Sequence, residues 1–91
     1  MIDPVTGTYR PKLARRAMLR RDEVRGVDMI LLPERVIKLN PTAAAVLHLC
    51  NGSRTVGDIV LALQVTYTGS DLEADVEELL SRLTDQGVFA Q

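Results

Sequence analysis

Apolar positions along the chain change period near its middle. "VDMILL" (27–32) places Val27, Met29 and Leu31 on one face of an extended segment and Ile30 and Leu32 on the other. Two residues later "RVIKL" (35–39) alternates, with Ile37 and Leu39 on one face and Val36 and Lys38 on the opposite one. The two-residue spacer Pro33-Glu34 predicts a hairpin between these strands, although it lacks the glycine of the favoured turns. Residues 16–22, with Ala17-Met18-Leu19 between arginines, predict a short further strand on weaker alternation.

After Leu39 the period becomes helical, and each segment carries its own punctuation. Asn40 suits a helix N-cap and Pro41 the first helical position, where a missing N–H costs nothing. The pattern runs through Ala44, Leu47 and Leu49 to Cys50, with Asn51-Gly52 as a stop. A second helix is predicted from a Thr55 cap, with Ile59, Val60 and Leu63 buried, to near Tyr67 and Gly69. Ser70-Asp71-Leu72-Glu73 has the form of a capping box. In the helix that follows, Leu72, Val76, Leu79, Leu80 and Leu83 share a face, and Gly87 closes it. The predicted order is two or three antiparallel strands followed by three helices. The 35–39 strand is expected at a free sheet edge, facing a groove toward the third helix.

Ninety-one residues with one Phe, two Tyr and no Trp allow one modest, largely aliphatic core. Residues 1–14, with Pro4, Gly7 and Pro11, are expected to form a flexible arm, and 15–91 a single domain. No apolar run approaches the ~18 residues of a membrane span. The first residues lack the charged and apolar regions of a secretory signal. A single Cys50 forms no internal disulfide, so a cytoplasmic location is expected, and the initial methionine favours a stand-alone protein.

Net charge is −1, but it is unevenly spread. Residues 1–26 hold seven cations and three anions, a net +4, whereas residues 70–91 hold one cation and six anions, a net −5. This asymmetry bears on an alternative reading, because a small sheet with three helices also suits a winged helix-turn-helix DNA-binding regulator. There the third helix would enter the major groove, and an acidic helix is repelled by phosphates.

Catalytic sets are missing from the pattern. His48 and Cys50 stand two apart on a helix, so they point in different directions, and zinc sites need about four ligands or three plus water. Cys50 reads as a core thiol and His48 as a boundary residue. The carboxylates at 71, 73, 75, 77 and 78 read as the solvated side of an amphipathic helix, those nearest the groove being placed to receive a basic segment. What is left is a module that binds through backbone, since a free strand edge presents N–H and C=O groups to another chain.

At these residues the chain resembles the pyrroloquinoline quinone (PQQ) biosynthesis protein D (PqqD) family. "RPKL" and "LLPERVIKLNPTAAAVLHLCNGSRTVGDIV" carry the likeness, which continues to "GVF" and is most specific in "KLNPTAAAVLHLCNGSRT". The family more often has Asp where this chain has Asn51, and both suit a helix end. The resemblance implies an α+β, winged helix-turn-helix-like fold with a three-stranded antiparallel sheet and three α-helices. It implies a peptide-recognition element of a ribosomally made and modified peptide (RiPP) pathway, without catalytic activity, cofactor or metal. Such a domain binds the precursor peptide PqqA as an added strand and presents it to the radical S-adenosylmethionine (SAM) enzyme PqqE. Carried onto this sequence, the peptide site comprises Arg35, Val36, Ile37, Lys38 and Leu39 with Leu72, Asp75, Val76, Leu79 and Leu83. Val76 and Leu79 read equally as core residues. Arg15, Arg16, Arg20 and Arg21 read either as an enzyme-docking surface or as a solvated strand face. Neither nucleic acid nor membrane is an expected partner, and the free edge allows a homodimer when peptide is absent.

Overall fold

The predicted hairpin is present and extended by one strand. A computed structural model describes residues 9–67 and 71–90. In it β1 (Met18–Asp22), β2 (Val27–Leu32) and β3 (Arg35–Leu39) form an antiparallel sheet in that order. The β1–β2 connection closes through Asp22, whose side chain accepts from the backbone N–H of Val24 (3.1 Å) and Arg25 (3.2 Å). Gly26 completes it at φ +67°, a left-handed conformation that a Cβ would strain. Pro33-Glu34 joins β2 to β3 directly. No non-glycine residue among those described has positive φ, so this turn is not of the mirror-image type that favours Asn-Gly.

α1 (Pro41–His48) follows β3 with one residue between. Asn40 caps it, its Oδ1 accepting from Ala43 N–H at 2.7 Å, with Pro41 in the first turn. The helix stops at His48 rather than running to Cys50. Leu49 and Cys50 turn on shorter i→i+3 bonds to Val46 and Leu47 while staying packed on the core, which is why the apolar pattern outlasts the helix.

α2 (Val56–Leu63) begins with a reciprocal cap. Thr55 Oγ1 accepts from Asp58 N–H at 3.1 Å, and the Asp58 carboxylate accepts from Thr55 N–H at 3.0 Å. α2 ends at Leu63, short of Tyr67, where Thr66 and Tyr67 both donate to the Leu63 carbonyl. α3 spans Leu72–Asp85. Ser70, expected as its cap, lies outside the described residues; Asp71 occupies the cap position without a side-chain cap bond. The far end closes by Gly87 at φ +78°, with Gly87 N–H on Thr84 O (3.0 Å) and Val88 N–H on Leu83 O (3.2 Å), a Schellman motif.

The helices cover one face of the sheet. Ile30 of β2, Val46 and Leu47 of α1, Ile59 of α2, and Val76, Leu80 and Leu83 of α3 form the fully buried centre. Residues 9–14 do not behave as the end of a loose arm. Lys12 bridges Asn51 and Leu13 bridges Phe89, while Gly52 and Val56 donate to the carbonyls of Pro11 and Tyr9. Ala14 N–H donates to Val88 O and Ala90 N–H to Lys12 O. A proline-containing stretch without periodicity is therefore held by backbone partners from three distant parts of the chain.

Candidate functional site

β3 has one strand neighbour among the described residues, so its other edge is free. The register shows what that edge offers. Arg35 pairs with Leu32 across the two-residue turn, the pair that an i→i+3 turn bond joins. Antiparallel pairs alternate between bonded and non-bonded, so Ile37 (opposite Ile30) and Leu39 (opposite Asp28) bond to β2. The N–H and C=O groups of Val36 and Lys38 then point outward, giving two donors and two acceptors along one edge.

A shallow cleft of ≈ 320 Å³ continues from the end of this strand. Asn40, Thr42 and Ala43 form one wall, and Asp75, Glu78, Leu79 and Arg82 of α3 form the other. At the opposite end of β3, the Arg35 guanidinium donates to the carbonyl of Gln86 just beyond α3. β3 and α3 therefore run in opposing directions and are tied at one end by Arg35, while the opening lies between the start of α1 and α3, just past the last residue of β3. The wall is mixed in polarity: Leu79 is buried, Asp75 is exposed, and exposed Glu78 lies 3.8 Å from Arg82.

The expected site residues separate accordingly. Arg35, Val36, Ile37, Lys38 and Leu39 are all on the edge strand, with Val36 and Lys38 facing away from the helices and Ile37 and Leu39 toward them. Asp75 and Leu79 line the cleft. Leu72, Val76 and Leu83 do not; Val76 and Leu83 are each 1 % exposed and lie in the core. Asn40, Thr42, Ala43, Glu78 and Arg82 were not anticipated. The α3 members are a single face with Asp75, at helical spacings of three and four, flanking the buried stripe rather than on it.

Other reactive groups lie elsewhere. Cys50 is buried, its thiol 3.3 Å from the Val46 carbonyl, and burial pushes its pKa up to about 12. A thiol held protonated in this way is a poor nucleophile. His48 is exposed on the surface. Hydrogen bonding from the Thr55 backbone and side chain holds the Asp58 carboxyl below its ordinary range, as its capping role requires.

A winged-helix-like α+β domain whose open strand edge leads into a cleft beside its last helix belongs to the class that accommodates an extended chain. Comparison with known proteins makes the class specific. Residues 28–88 match the family model described as coenzyme PQQ synthesis protein D (PqqD). A "PqqA binding protein" of Rhodopseudomonas palustris strain TIE-1 is 40% identical over 89 residues, covering 96% of this chain and 87% of that protein. The bifunctional coenzyme PQQ synthesis protein C/D of Methylorubrum extorquens is 39% identical over 86 residues, 92% of this chain but 23% of the longer protein. The solution NMR structure of the PqqD truncation of Methylobacterium extorquens PqqCD, which represents a functional and stand-alone RiPP recognition element, superposes with a TM-score of 0.81 at 36% identity. That match covers 99% of this chain and 100% of the other. The chain belongs to the PqqD family.

Proposed function

We propose that this protein is a peptide chaperone in PQQ biosynthesis: it binds the precursor peptide PqqA by strand addition at β3 and presents it to the radical SAM enzyme PqqE. The observation that carries this reading is the outward-facing backbone of Val36 and Lys38 on a strand whose end leads to the cleft between α1 and α3. A peptide strand laid there gains ladder bonds from the edge and contacts with Ile37, Leu79 and the polar rim. Relatives described as PqqA-binding support the ligand. The protein's part is to hold and orient the peptide; the chemistry belongs to the enzyme. It acts in the cytoplasm, and among the described residues no helix is long and apolar enough to cross a membrane.

The test is a titration of isotope-labelled protein with synthetic PqqA, following backbone amide NMR shifts, repeated with a DNA duplex. Saturable shifts confined to residues 35–43 and the 75–86 face, with the duplex silent, are expected. Salt-sensitive shifts from DNA without a response to peptide would replace this reading with the winged-helix regulator.

A further inference from the structure

The sheet has a second face, turned away from the helices. Strand alternation places Met18, Leu31 and Val36 in one cross-strand row on that side, and Arg20, Met29 and Lys38 in the next. The first row is entirely apolar and open to solvent at both ends, Met18 being 45% and Val36 55% exposed. The second sets a half-buried methionine between two exposed cations. Neither Arg20 nor Lys38 forms an ion pair among the described residues, so this face presents two cations without a carboxylate partner there. Asp22 is on the same face, but its carboxylate is engaged in the β1–β2 turn. An antiparallel sheet facing water on one side ordinarily places polar residues there, so an apolar row across all three strands needs a partner.

We propose that this face docks the enzyme that modifies the bound peptide, through a surface on that enzyme with an apolar centre and an acidic rim. The inference rests on the strand-addition reading and locates its second partner. Two observations select the occupant. Cations without a partner among the described residues call for carboxylates, and a second copy of the chain would instead set Arg20 and Lys38 against the same pair, a like-charge contact. The face is also continuous with the peptide edge. A strand paired to Val36 and Lys38 becomes the fourth strand, and its alternate side chains extend both rows. Whatever covers this face therefore meets the peptide directly, whereas the helical side meets it only across α3. The other exposed apolar pair, Leu61 on α2 and Val65 just beyond its end, lies on the helical side with nothing in the structure to indicate its cover.

The experiment exploits the position of β1, which is separated from the peptide edge by β2. Met18→Glu and Arg20→Glu are introduced together, with Arg20→Glu alone as a milder second variant and Leu61→Glu as a control. For each, thermal unfolding, affinity for synthetic PqqA, and affinity of the peptide-loaded protein for purified PqqE are measured. The expected result is unchanged peptide affinity with PqqE affinity lowered roughly tenfold or more in the double variant, as for loss of a central apolar anchor with charge reversal at its rim. The single variant weakens PqqE less, and Leu61→Glu leaves it unchanged. Native PqqE affinity in a double variant that still binds peptide overturns the docking face while leaving strand addition intact. Loss of PqqE binding in Leu61→Glu alone moves the interface to α2 and likewise overturns it. A native protein that binds no PqqA overturns both readings.

Discussion

Proline substitution along β3 tests the edge residue by residue, because the register assigns opposite consequences to neighbours. Lys38 is exposed, and its N–H points away from β2. Lys38→Pro therefore removes no intramolecular ladder bond, and the restriction proline places on Ile37 favours the extended backbone already there. Stability should change by less than about 1 kcal/mol. In the complex, however, one peptide carbonyl loses its donor and faces the proline ring. Leaving such a group unsatisfied costs ~1–3 kcal/mol, equivalent to roughly a fivefold to hundredfold rise in Kd. Ile37→Pro has the opposite signature. Its N–H bonds toward Ile30, and its half-buried side chain packs on the core, so about 2–4 kcal/mol of folding stability is lost. Isothermal titration with synthetic PqqA, alongside urea unfolding, separates the two. A folded Lys38→Pro protein that binds as tightly as the native one would refute strand addition at this edge. A stable Ile37→Pro protein that fails to bind would show the register is shifted by one.

Three further perturbations probe what holds the site in place. Arg35→Ala breaks the link to the Gln86 carbonyl and is expected to weaken peptide binding severalfold, by about 0.5–1.5 kcal/mol, while the urea midpoint moves little; an equal loss of stability would make Arg35 a folding residue instead. Cys50→Ser should leave peptide affinity unchanged and cost ~1 kcal/mol at neutral pH, since the hydroxyl retains the Val46 acceptor. The pH dependence is its sharper test. The folded thiol keeps its proton to about pH 12, whereas the unfolded thiol releases its own above ~8.5. Native stability from this group is thus intact below that point and falls by about 1.4 kcal/mol per pH unit above it; urea midpoints at rising pH should show this slope in the native protein and lose it in Cys50→Ser. Thr55→Ala removes the α2 cap and should cost about 1 kcal/mol with no change in peptide affinity, measured by the same unfolding and titration pair.

Much of the framework was legible because local chemistry and tertiary contacts agree. The Asn40-Pro41 junction reads as a helix start from residue type alone, and the structure completes it with the Ala43 bond. The buried stripe of α3 reads equally well, since Leu72, Val76, Leu79, Leu80 and Leu83 repeat at helical spacing and all are buried. That success is also why the cleft was only partly visible. Periodicity identifies the face that meets the core, whereas the cleft is lined mostly from the flank of that face: beside Leu79 of the stripe stand Asp75, Glu78 and Arg82, charged and locally indistinguishable from a solvated surface. The pairing of residues 9–14 is not legible in the sequence for a different reason. Their backbone partners are at positions 51, 52, 56 and 88–90, and no local pattern announces pairing over such separations. Leu49 and Cys50 show the converse, apolar residues at helical spacing that pack on the core after the helix has ended.

The fold alone leaves two very different ligands open, and side-chain charge on one helix distinguishes them. In a winged helix that reads DNA, the third helix approaches phosphates and requires cations along its outer surface. α3 instead exposes Glu73, Asp75, Glu78 and Asp85, with Arg82 beside Glu78. Each carboxylate adds repulsion toward a polyanion but imposes no such penalty on a peptide, whose proposed main-chain bonds to β3 are neutral. The demand then shifts from charge to rigidity, because a neutral ladder gains little per bond and loses its advantage if the edge must first be ordered. The short passage from Leu39 through capped Asn40 into Pro41 meets that demand. It anchors the end of the exposed strand to a helix whose Ala43, Ala44, Val46 and Leu47 are buried, so the outward groups of Val36 and Lys38 are already aligned before any peptide arrives.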